Sequence, residues 1–195
     1  GGIENENVYT SNFQRYNVAH FDDTEIFLNF RKFLRGHTVK YFKMLYDTTP
    51  DKKIMYACWY NELLQFERIG WHKHQEFYGQ RDRIVNISAN MSLQIPSRRT
   101  HTIYYSPLYN AWFQKTQSMQ PKYLDLLIKE THFDDRTDFD TPAISIENIS
   151  GMITFFPSFL GHETTPVFKD EKRTSLGLDF FIGGDGNTVS ALFEL

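Results

Sequence analysis

Cysteine is almost missing from this 195-residue chain: Cys58 stands alone, so no internal disulfide, cysteine-rich zinc site or thiolate-held iron–sulfur cluster can form within it. That composition points to a reducing compartment such as the cytoplasm. A surplus of either charge is lacking too. Lys and Arg number 21 against 24 Asp and Glu, a formal net charge of -3, which provides no basic field for phosphates and argues against nucleic acid as a partner. No run approaches the roughly 18 apolar residues of a membrane span, and the first residues carry neither the basic nor the apolar part of a signal peptide. No membrane partner is therefore expected. Internal repeats and low-complexity tracts are absent, although the tetrapeptide HFDD starts at both His20 and His132.

Aromatic residues are plentiful, with 18 Phe and 11 Tyr, and they suit sheets better than a helical bundle. The length fits one domain over residues 1–195, mainly β with flanking helices. Val8 to Val18 reads as an edge strand. Asp22 and Asp23 cap a helix expected from Thr24 to Arg35, with Ile26, Phe27, Phe30, Phe33 and Leu34 on one face and Gly36 as its stop. Val39 to Leu45 is too short for periodicity to decide between strand and helical turn.

Strand-like sequence follows in IMYACWY, within Lys53 to Ile69. The clearest strand is Arg83 to Ile95, where Ile84, Asn86, Ser88, Asn90, Ser92 and Gln94 alternate with Val85, Ile87, Ala89, Met91, Leu93 and Ile95. Its apolar face should meet the helix, leaving the Asn/Ser face for a cavity or solvent. Thr102 to Tyr105, Leu108 to Lys115, Ile144 to Ile149 and Val189 to Leu195 are further strand segments, and Pro121 opens a short helix to Glu130. The connection from residue 97 to 142 is long enough to be a lid or insert, with Tyr104, Tyr105, Tyr109 and Trp112 available to line it.

The most informative stretch is GMITFFPSFLGHETTPVFKDEKRTSLGLDFFI, from Gly151 to Ile182. Met152 to Phe156 is a buried strand closed by Pro157, and His162 follows the turn. From Arg173 the residues alternate, placing Arg173, Ser175, Gly177 and Asp179 on one face and Thr174, Leu176, Leu178 and Phe180 on the other. Upstream, WHKHQEF sets His72, His74 and Glu76 on one strand face.

An imidazole at one strand mouth with an RxS pair eleven residues later resembles the C-terminal half of the iron(II)/2-oxoglutarate dioxygenases. FPSFLGHETTP is most similar to the small bacterial and phage members, in which an FPS segment leads into the distal His. The resemblance covers Trp71 to Ile95 and Gly151 to Ile182 and is silent elsewhere. It implies a double-stranded β-helix, the jelly-roll or cupin-like fold, which agrees with many strands and few helices. It implies iron(II) as metal, and 2-oxoglutarate, O2 and an unidentified substrate as partners. In a phage-encoded chain the setting would be the host cytoplasm.

Such centres hold iron with two His and one carboxylate, leaving the other metal face open. Two registers fit WHKHQEF. His74 and Glu76 form an HxE pair that with His162 completes the set, and ligand chemistry favours it. His72 with His74 instead resembles the HxH string of the small phage-like members and keeps the family's spacing to the IVNIS strand. The family's arginine maps to Arg173, whose planar fork suits the far carboxylate of 2-oxoglutarate. Ser175 would add a hydroxyl, and Asn86, Ser88 and Asn90 would reach the co-substrate from the facing strand. Asp179 shares a face with Arg173 and is the alternative, purely structural partner for its charge.

The other HxD strings, His20 with Asp22 and His132 with Asp134, are better explained as a helix cap and part of an acidic loop. The expected reaction is hydroxylation or demethylation with 2-oxoglutarate converted to succinate and CO2. A cupin-like or degenerate dioxygenase fold that binds metal without turnover is the alternative, and it has no need of Arg173 and Ser175. A virion or assembly protein is a third reading, resting on the phage-like FPS segment alone. Neither the substrate nor the oligomeric state is written in these residues.

Overall fold

The computed structural model describes residues 9–10, 24–50, 53–74, 85–97, 99–106, 143–168, 171–182 and 193–195. Among them are nine strands and one helix: β1 (Tyr9–Thr10), α1 (Glu25–Tyr46), β2 (Ile54–Leu63), β3 (Val85–Gln94), β4 (His101–Tyr105), β5 (Ala143–Glu147), β6 (Ile153–Pro157), β7 (His162–Thr164), β8 (Arg173–Ile182) and β9 (Phe193–Glu194). Period-two sequences build the larger sheet, in the order β1-β2-β8-β3-β6 with β9 also on β2. The smaller sheet runs β5-β4-β7. His72 extends it, bridging antiparallel to His162 with reciprocal backbone hydrogen bonds of 3.0 and 2.9 Å.

Counting that bridge, the chain crosses between layers so that β2-β8-β3-β6 faces β5-β4-β7-His72. Each strand's neighbours come from distant parts of the sequence. This is the strand order of a double-stranded β-helix, in which two Greek keys close a jelly roll. Contacts of Tyr104 and His162 with Phe156, whose ring centroids lie 5.0 and 4.7 Å away, join the two layers.

The main hydrophobic cluster does not lie between the sheets. It lies outside them, where α1 covers the larger sheet: Leu34 packs with Ile54, Tyr56, Cys58, Ile87, Ala89, Leu178 and Phe180, and all are buried. The opposite face of the same strands supplies Asn61, Ser88, Ser92, Arg173, Ser175 and Asp179, which are buried as well. Alternation therefore sorts β2, β3 and β8 into an apolar side for the helix and a polar side for the jelly-roll interior.

Helix α1 runs eleven residues past Arg35 and absorbs the segment Val39 to Leu45. Gly36 does not stop it. A Cβ there would meet nothing within 4 Å, so the glycine sits on the open side and costs only its propensity, about 1 kcal/mol. The apolar stripe continues through Leu34, Thr38, Tyr41 and Phe42 onto the sheet. Ile26 and Phe33, expected on the buried face, are 79% and 43% exposed. The helix ends at Asp47, which takes the left-handed conformation (φ 52°) and returns its N–H to the Lys43 carbonyl, a geometry Asp tolerates.

Asp22, Asp23, most of Val8 to Val18, Leu108 to Lys115 and the helix from Pro121 lie outside the described residues. So do His20, His132 and Asp134. Within the stretch 97–142, His101–Tyr105 is the central strand of the smaller sheet, so that part is framework; residues 107–142 lie outside the described set. Among the described residues no helix is long and apolar enough to cross a membrane.

Candidate metal centre

Three imidazoles meet inside the jelly roll. His72 and His74 lie two residues apart at the edge of the smaller sheet, and strand pairing brings His162, at the start of β7, beside them. Their ligating nitrogens all lie within 4.8 Å of one another. Ring centroids are 5.2 Å apart for His72–His74, 4.2 Å for His72–His162 and 5.1 Å for His74–His162.

The hydrogen bonds at the far side of each ring fix what faces inward. His72 Nδ1–H donates to the Gly70 carbonyl at 2.9 Å and His162 Nδ1–H to the Leu160 carbonyl at 3.0 Å. His74 Nδ1–H donates to Asp179 Oδ1 at 2.5 Å. With every Nδ1 carrying the proton, all three Nε2 lone pairs are free for a cation. Those of His72 and His74 confront each other at 3.3 Å. Two lone pairs at that distance repel unless a proton or metal lies between them.

Protonation is disfavoured. Burial first, then the neighbouring His74, pushes His72 down to about 4. Burial, then His72 and His74, holds His162 well below the usual imidazole range. His72 and His162, held neutral by burial, converge with His74 in an arrangement that fits a divalent ion.

Aromatic rings brace the cluster. Trp59 lies 5.6 Å from His74, Phe156 4.7 Å from His162, and Tyr104 stacks on His162 at 5.7 Å. Two glycines allow the tryptophans in: a Cβ on Gly177 would approach the Trp59 indole to 2.4 Å, and one on Gly161 the Trp71 indole to 2.6 Å.

Arg173, at the start of β8, points to the same interior. It is 0% exposed. Its Nη2 donates to Asn148 Oδ1 at 3.3 Å, while Nε and Nη1 have no hydrogen-bond partner among the described residues. Burial, the larger influence, lowers it to about 10. Tyr104 Oη, equally buried, also lacks a partner, and burial raises its phenol well above the ordinary value. Asn90 Oδ1 is a further buried atom without one among the described residues. A buried cation with no anion costs several kcal/mol, so this constellation fits an anionic guest.

Of the other residues expected at the site, Ser175 is buried one pleat from Arg173. The Ser88 hydroxyl donates to Asp179 Oδ1 at 2.7 Å. The larger-sheet register shifts between Val85 and Ile87, at Asn86, whose side chain lies outside the described set. Glu76 also lies outside it. The structural pairing of Arg173 with Asp179 does not form; Asp179 belongs to His74 and Ser88. Asp179, Tyr104 and Asn148 are the site residues that sequence reasoning underweighted. Asp179 could have been found as the polar position furthest from Arg173 on the inward face of β8.

No protein-family model matches the sequence, and no curated protein does. Solved structures do. A 2OG-Fe(II) oxygenase family oxidoreductase from Burkholderia pseudomallei is 14% identical, with TM-score 0.45 over 73% of this chain and 51% of that one. A Pseudomonas putida prolyl-4-hydroxylase is 15% identical, with TM-score 0.40 over 65% and 48%. A cupin domain from Bordetella pertussis is 7% identical, with TM-score 0.34 over 65% and 81%. The chain spans about half the length of the two oxygenases.

Proposed function

We propose that this chain is a non-haem iron(II) oxygenase that uses 2-oxoglutarate and O2 to hydroxylate or demethylate a substrate. His72, His74 and His162 would hold the metal, with Glu76 the carboxylate of the competing register. Three imidazoles by themselves suit zinc or nickel as well as iron. The observation that carries the reading is Arg173, a wholly buried cation on the inward side of the larger sheet with two nitrogens that have no partner among the described residues.

When bound, iron(II) and 2-oxoglutarate supply oxidative decarboxylation to succinate and CO2 together with the oxidising power for attack on a C–H bond. The residues of this chain do the rest. Arg173 anchors the far carboxylate through Nε and Nη1, with Asn148 fixing its third nitrogen. Tyr104, kept neutral by burial, can donate its phenol proton to the same anion. Phe156, Trp59 and Tyr104 exclude water from the imidazoles, which strengthens every polar contact inside.

Oxygen-dependent formation of succinate from 2-oxoglutarate by the iron-loaded protein tests the proposal. We expect turnover that disappears in His162→Ala. Bound 2-oxoglutarate without succinate would instead favour the cupin-like, non-turnover alternative.

A further inference from the structure

A two-His, one-carboxylate centre places a negative charge directly on its metal. In the cluster described above, the residue two along from His72 is another histidine, so that position offers a neutral nitrogen. The charge is present one side chain further out. Asp179 Oδ1 accepts both His74 Nδ1–H, at 2.5 Å, and Ser88 Oγ–H, at 2.7 Å. His72 and His162 are treated differently, since their Nδ1–H groups go to backbone carbonyls.

The placement of Asp179 is specific. It lies on β8 between β2 and β3, paired with Ala57 and Ser88, so its backbone is held from both sides. It is 2% exposed and faces away from the helix–sheet core, which has no use for it. A carboxylate desolvated to this degree is expensive, and its partner is one of the three imidazoles.

We propose that Asp179 is a positioning residue that supplies, through His74, the negative charge that the three described ligands do not. It fixes the ring so that Nε2 faces the metal and makes that nitrogen a stronger donor. The inference rests on the metal-centre reading above. It also restores the charge balance: a divalent metal and Arg173 on one side, a dianionic co-substrate and Asp179 on the other. Outer carboxylates that hold a ligating histidine typically change metal affinity 10- to 100-fold when removed.

The test is a Co(II) titration of wild type, Asp179→Asn, Ser88→Ala and His162→Ala, followed by visible absorption. Asparagine keeps the shape and an acceptor oxygen while removing the charge. We expect Asp179→Asn to weaken Co(II) about 10- to 100-fold and to move the ligand-field bands, with near-UV circular dichroism unchanged. Ser88→Ala should weaken binding in the same direction by less, and His162→Ala should abolish it. Wild-type affinity and band positions in folded Asp179→Asn would overturn the role of Asp179 and leave the metal centre intact. Failure of the wild type to bind Co(II) would remove the centre and this inference with it. Should Asp179→Asn not fold, proton NMR of the zinc-loaded wild type decides. The His74 Nδ1–H resonance is expected downfield of those of His72 and His162; coincidence with them overturns the proposal.

Discussion

Replacing Arg173 with methionine should move stability and ligand affinity in opposite directions. The side chain is 0% exposed, and two of its three nitrogens have no partner among the described residues. Its folded-state value near 10, against 12.5 for the free group, corresponds to roughly 3 kcal/mol of penalty on the charged form. Because the folded pKa lies below the unfolded one, the unfolded chain binds the extra proton between those two values. The penalty is therefore fully present below about pH 10.

Methionine fills similar space without charge, so at neutral pH the metal-free variant should be more stable, by up to about 3 kcal/mol. Loss of the Asn148 contact will subtract from that. Binding of 2-oxoglutarate should suffer the reverse, since a bidentate charged pair that vanishes costs about 3–5 kcal/mol, or roughly two to three and a half orders of magnitude in affinity. Urea unfolding of the metal-free proteins gives the first quantity, and anaerobic titration of the iron-loaded proteins gives the second. A variant destabilised by several kcal/mol that still binds 2-oxoglutarate normally would show that Arg173 serves the scaffold.

Further outcomes follow from the same geometry. His162→Ala should leave too few imidazoles for stoichiometric metal, read by metal analysis of the purified variant. His72→Ala should lose more metal affinity than Glu76→Ala; the opposite order would establish the HxE register. On acidification the metal-free protein should lose stability between about pH 6.5 and 4, because the unfolded chain takes up protons that His72, at about 4, and His162 refuse. For His72 alone the loss is on the order of 3 kcal/mol, measurable as a falling urea midpoint, and a flat midpoint over that range would contradict it. Gly177→Ala drives a methyl to 2.4 Å from the Trp59 ring and should cost about 1–3 kcal/mol, weakening metal binding as Trp59 shifts beside His74. Unchanged thermal stability and metal affinity in that variant would refute the packing argument.

Local periodicity was enough to read β3 and β8, because alternation with one apolar and one polar face has a single structural solution. For the polar face of β3 the same rule left a cavity or solvent open; the fold turns it inward together with that of β8, where Ser88 and Arg173 are buried. A glycine at position 36 reads locally as a helix stop, yet α1 runs through it, because its exposed position, visible only in the fold, makes it harmless. The motifs around His162 and Arg173 stood out locally. What brings His72 to His162 is an antiparallel bridge between segments 90 residues apart, and no local pattern encodes that pairing. Asp179 illustrates the same limit. It shares a strand face with Arg173 but sits six residues along, roughly 20 Å away, and its partner His74 comes from 105 positions earlier in the chain.

The most direct measurement is an anaerobic titration of the wild-type protein, first with iron(II) and then with 2-oxoglutarate, following the iron–keto acid absorption band. Uptake of one iron per chain, followed by a saturable band that is absent in His162→Ala and greatly weakened in Arg173→Met, is the predicted result. Iron uptake with no band at any 2-oxoglutarate concentration, or no iron uptake at all, would contradict the account.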